Sequence, residues 1–114
     1  MKEDRDIDFL EFLLECINHL ELYIHNIDED SFLRNEEKKD ACLTRLVMIG
    51  EYSAKISNEL KNKFSEVEWQ LMKSSRNYFV HVYRGIDWLR VWETLKKDIP
   101  KLKLKVENIL TQIL

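Results

Sequence analysis

One stretch of this 114-residue chain, Arg76-Asn77-Tyr78-Phe79-Val80-His81-Val82-Tyr83-Arg84, gathers the side chains that could do chemistry. It offers permanent cations, an amide, an imidazole that exchanges protons near neutral pH, and phenols. Arginine and histidine without a metal cluster suit phosphodiester cleavage by an internal 2′-hydroxyl. A base removes the hydroxyl proton, and a cation balances charge growing on the phosphate oxygens. Histidine supplies the first role and the planar arginine fork the second. Asn77 could hold the ribose, a phosphate oxygen or the His81 ring. The same residue types also serve as structural polar groups at a helix end. On an α-helix Arg76 and Tyr83 fall within about 20° of each other, whereas Arg76 and His81 stand about 140° apart. Either the helix deforms before Gly85, or Arg76 and His81 converge with the help of a second subunit's copies across a two-fold axis.

The elements that must carry this stretch are helical. Gly (2) and Pro (1) are too scarce for the many tight turns of a sandwich or barrel. A first helix is predicted from about Asp6 to Ile24, where Phe9, Leu10, Leu13, Ile17, Leu20 and Ile24 recur at steps of three and four. Asn26 to Ser31 reads as a turn. A second helix runs from near Asn35 and Glu36 to about Ser57, and Gly50 inside it implies close packing of another backbone. Asn58 to Lys63 adds a turn of helix. Ser65-Glu66-Val67-Glu68 matches a capping box before a third helix, Trp69 to about Tyr83, that Gly85 ends or redirects. Asp87 can cap a fourth helix, Pro100 should stop it, and a fifth should start there. The expected fold is all-α, a single domain over residues 1–114 built as a bundle of four or five helices. Its wide apolar stripes make a dimer a reasonable expectation.

Composition bounds the function. Eighteen basic and 21 acidic residues leave a net charge of −3, so any polyanion site must be local. Arg45, Lys73, Arg76 and Arg84 are the local cations available, while the lysines from Lys96 to Lys105 read as a solvated face. Glu51 and Arg45 could reach the motif or form a solvated pair. Cys16 and Cys42 have no metal-like spacing and suit a reduced compartment. His19 and His25 lie about 120° apart on a helix and make no metal face. Trp69, Trp88 and Trp92 read as packing residues rather than a base-stacking platform. No apolar run approaches a membrane span and the start is acidic, so a cytoplasmic protein is expected.

Arg76-Asn77-x-x-x-His81-x-Tyr83 resembles the Arg-x4-His-x-Tyr signature of the HEPN superfamily, and its setting resembles the HepT branch. Asp40-Ala41 with Arg45 and Ile49-Gly50-Glu51 is similar to that branch's second-helix pattern. Tyr83-Arg84-Gly85-Ile86-Asp87-Trp88, Val91-Trp92-Glu93 and Asp98-Ile99-Pro100 are similar to its closing segment. The resemblance implies an all-helical homodimer that acts as the toxin of a type VII toxin–antitoxin pair, a metal-independent endoribonuclease cutting tRNA or mRNA. It implies Arg76 on the scissile phosphate, His81 in proton transfer, Asn77 in support, and the motifs of two subunits facing each other. It implies as partner an MntA-like nucleotidyltransferase that moves AMP from ATP onto Tyr83, and no cofactor for cleavage itself. A different class also fits: a noncatalytic helical dimer that only binds a nucleotidyltransferase.

Overall fold

The computed structural model describes the backbone of residues 2–81 and 83–114, with side chains other than those of residues 2, 3, 78, 80, 81 and 83. Among the described residues the regular structure is all helical. The helices are α1 (Lys2–Ile24), α2 (Glu29–Leu33), α3 (Glu36–Lys55), α4 (Asn58–Lys63), α5 (Trp69–His81), a 3-10 turn (Tyr83–Gly85), α6 (Trp88–Glu93), a π-helical turn (Thr94–Asp98) and α7 (Ile99–Ile113).

Of the stripe predicted on α1, Leu10, Leu13, Ile17 and Leu20 are fully buried, with Cys16 beside them, while Phe9 and Ile24 are partly buried against the core. Asn26, with φ of 57°, turns the chain in the left-handed conformation that asparagine tolerates. Helix α3 starts where Asn35 caps it, accepting from the Lys38 amide at 3.0 Å. It returns antiparallel to α1. Lys38 Nζ donates to the Tyr23 carbonyl at one end, and at the other the Asp6 carboxylate accepts from the Ser57 amide at 2.9 Å. Helix α3 is the centre of the bundle, packed on α1 and on α5, while α7 covers α1 with buried Val106, Ile109 and Leu110.

Asp6 is a buried carboxylate, 4% exposed, and its partners explain why it is tolerated. Besides the Ser57 amide it accepts from Ser57 Oγ at 2.6 Å, and that hydroxyl accepts in turn from the Leu60 amide to cap α4. Asp6→Ala orphans both Ser57 donors and is expected to lower stability by about 2 kcal/mol. Urea unfolding followed by far-UV circular dichroism measures it, and a loss below about 0.5 kcal/mol would mean that water replaces the carboxylate.

Three sequence expectations give way. The turn after α1 contains α2, capped by Asp28 Oδ1 on the Ser31 amide at 2.8 Å. That bond also holds the Asp28 carboxyl below its ordinary value. One residue anchors this short helix: Phe32, fully buried with its ring 5.1 Å from Trp92. The capping box is not used. Phe64 and Val67 are both buried, which holds residues 64–67 in turns, and α5 begins, as predicted, at Trp69, whose indole donates to the Phe64 carbonyl at 3.1 Å. Pro100 does not stop the fourth helix. The backbone stays right-handed helical from Trp88 to Ile113 through the π-helical turn. A proline ring crowds the carbonyl four residues back and removes one donor, and a widened turn just before it accommodates both.

Candidate functional site

Helix α5 hangs on α3, and its central fastening is Gly50. A Cβ there would overlap the Cβ of Arg76 and stand 2.8 Å from the Met72 carbonyl. The glycine therefore lets the α5 backbone come directly against α3, as its position inside a helix implied. Ser53, fully buried one turn on, donates to Met72 Sδ at 3.6 Å and fastens the same crossing.

The stem of Arg76 thus lies across Gly50, and the next residue of α3 takes its head. Arg76 Nη2 is 2.9 Å from Glu51 Oε2, and Nη1 donates to Asn77 Oδ1 at 3.0 Å. The pair is half-open to solvent, with the arginine side chain 33% and the glutamate 43% exposed. Arg76 Nε is buried and finds no hydrogen-bond partner among the described residues. An ion pair this open contributes about 0–1 kcal/mol. Glycine within a helix costs about 1 kcal/mol against alanine, which the close approach of α5 offsets here. Fold stability therefore gives little account of the open Glu51–Arg76 pair, and a local arrangement with little structural return is common at functional sites.

Of the four residues expected at the site, Arg76 and Asn77 are in contact, and the side chains of His81 and Tyr83 lie outside the described residues. Position 81 ends α5, and position 83 opens the 3-10 turn. Since α5 is α-helical from Arg76 to His81, the expected deformation before Gly85 falls after position 81, and positions 76 and 81 keep their separation of about 140°. Gly85 itself has no positive φ.

Helix α3 sorts its two charged candidates onto opposite sides. Glu51 reaches the motif, whereas Arg45 turns to α1, where Nη1 meets Cys16 Sγ at 3.8 Å. Arg45 therefore does not join the local cations. Lys61, which sequence reasoning passed over, sits near one of them: burial first, and then the positive charge of Lys73, holds its ammonium below the ordinary lysine value. Lys73 and Arg84 are exposed.

The remaining candidates are structural. Burial pushes the Cys42 thiol up to about 12, which keeps it protonated and inert at neutral pH. Cys16 is likewise buried, its thiol raised chiefly by burial against the lowering pull of Arg45. His19 Nδ1 lies 2.8 Å from the Glu15 carbonyl. Trp92 is buried, and Trp69 and Trp88 pack partly buried against the core. Among the described residues no group of three or more His, Cys, Asp or Glu could hold a metal, and no helix is long and apolar enough to cross a membrane.

Comparison with known proteins agrees with this fold. A family model described as Ribonuclease HepT-like matches residues 13–109. The chain is 38% identical to a Methanocaldococcus jannaschii protein named as a candidate RNase, over 92% of this chain and 97% of that one. It is 35% identical to a Thermococcus cleftensis protein named as a probable ribonuclease HepT, over 90% of this chain and 93% of that one. Across 99% of its length it also aligns, at 32% identity, with half of a longer M. jannaschii protein whose name joins gamma-glutamylcyclotransferase to a candidate RNase. No solved structure gives a significant match. With the family model spanning most of the bundle, including both α3 and the Arg76 motif, the chain belongs to the HepT-like family of ribonucleases.

Proposed function

We propose that this protein is the toxin of a type VII toxin–antitoxin pair, a cytoplasmic endoribonuclease that cuts tRNA or mRNA without a metal and works as a homodimer. One observation carries the reading: an arginine of the motif is held half-open at the α3–α5 crossing, on a helix that stays regular to His81. Positions 76 and 81 on one such helix face different directions, so a single phosphodiester can meet both only if a second copy contributes.

In the proposed reaction the His81 imidazole takes the proton of the ribose 2′-hydroxyl, whose oxygen attacks the adjacent phosphorus. The bond to the 5′-oxygen breaks, giving a 2′,3′-cyclic phosphate, and the leaving oxygen takes a proton from water, to which the imidazolium returns its own. Arg76 balances the charge that develops on the non-bridging oxygens. Asn77, through its contact with Arg76 Nη1, keeps that guanidinium in register.

Regulation follows from position 83. We propose that an MntA-like nucleotidyltransferase antitoxin transfers AMP from ATP to the Tyr83 hydroxyl, releasing pyrophosphate. The added bulk and negative charge would exclude RNA from a cleft built around Arg76. Purified protein incubated with total tRNA in excess chelator should cut it, and His81→Ala should not. Intact mass after incubation with the partner and ATP should rise by whole AMP units in the wild type and stay unchanged in Tyr83→Phe. Absence of cleavage by the wild type, together with AMP transfer, would favour the noncatalytic binding dimer.

A further inference from the structure

We infer that Glu51 is a positioning residue that holds the Arg76 guanidinium in its working orientation. The inference rests on the nuclease reading for its consequence, but the hold itself is a property of the α3–α5 crossing.

Arginine carries a long stem whose rotamers must be fixed before its head can meet a phosphate at a defined angle. Here two consecutive residues of α3 do that: Gly50 receives the stem, through Cβ and Cγ, and Glu51 takes Nη2. Asn77 takes Nη1 from the other side. The guanidinium has five N–H donors, of which the Asn77 bond uses one, while Glu51 holds Nη2 as an ion pair. Glu51 Oε2 meets Nη2, and the arginine side chain stays 33% exposed, which leaves the head open to a phosphate oxygen. The carboxylate therefore orients the cation without filling its binding edge. Removing it would free the head to swing on its stem, and a misplacement of about 1 Å in a catalytic group can lower a rate about 100-fold.

Two measurements on the full chain test this. With RNA in chelator, Glu51→Ala should lower kcat about 10- to 100-fold with KM within about threefold. Glu51→Gln, which keeps an acceptor oxygen of the same reach, should recover to within about fivefold of wild type. A faster or tighter-binding Glu51→Ala would make the carboxylate a competitor of the phosphate. A Glu51→Gln as inactive as Glu51→Ala would place the charge in the chemistry, and unchanged rates in both would leave a surface pair. Each of these overturns the inference. The second measurement needs no substrate: in 15N-labelled protein the Arg76 Nη protons should show hindered rotation in the wild type and in Glu51→Gln, and averaged signals in Glu51→Ala. Free rotation in the wild type overturns the hold. Lack of RNA cleavage by a wild type with hindered rotation would fault the nuclease reading and leave the hold standing.

Discussion

Arg76→Ala and His81→Ala chains are each expected to lose RNA cleavage by about 10²- to 10⁴-fold, and refolding an equal mixture of the two should restore about a quarter of the wild-type rate. The loss follows from the roles proposed for a guanidinium and an imidazole. The recovery follows from symmetry. Random pairing gives mixed dimers in about half of the population. If each cleavage pairs the arginine of one subunit with the histidine of the other, a mixed dimer has one centre with both groups missing and one with both intact. A site contained within one chain predicts no recovery, because every chain in the mixture lacks one group. Cleavage of labelled tRNA in chelator, with mixed dimers counted by native mass spectrometry, separates the outcomes. Mixed dimers without activity would sink the shared cleft, and chains that stay monomeric while cutting RNA would do so more directly.

The two-chain question is also where the sequence stops being legible, and the reason is physical. Periodicity reports which face of a helix is apolar, and it located α1, α3 and the inner stripe of α7 because those faces bury residues at successive turns. Gly50 was readable because a glycine inside a long helix needs a compensating contact, and the contact is there. Asp87 likewise caps α6, accepting from the Arg90 amide at 3.2 Å. What failed were places where a single tertiary contact outweighs local preference. Phe32 makes a helix out of a segment rich in turn-forming residues. Phe64 and Val67 override the Ser65 capping box. A π-helical turn absorbs Pro100. Charges show the same limit. Arg45 and Glu51 are six positions apart on one helix, and only packing decides that the first serves Cys16 and the second Arg76. No pattern within one helix records which neighbour its polar face will meet.

Gly50→Ala isolates what the α3–α5 crossing contributes, and two effects of opposite sign compete in it. Alanine favours the helix by about 1 kcal/mol over glycine. Against this, the new methyl would overlap Arg76 Cβ and sit 2.8 Å from the Met72 carbonyl, which is helix backbone rather than a flexible tip. Neither atom can move without lifting α5, and overpacking of this kind costs about 1–3 kcal/mol. The net expectation is a stability loss of about 1–2 kcal/mol. Activity should fall further, by about 100-fold, because the strained contact sits under the stem of Arg76 and α5 has α3 as its main support. Gly85→Ala is the control, four residues beyond the end of α5: a Cβ there meets nothing within 4 Å and φ is not positive. It should leave stability within about 0.5 kcal/mol of wild type and cleavage unchanged. Thermal unfolding and tRNA cleavage measured side by side on the two variants decide the matter. A Gly50→Ala protein as stable and as active as the wild type would mean that α5 does not bear directly on Gly50, and the seat proposed for Arg76 would have to be abandoned.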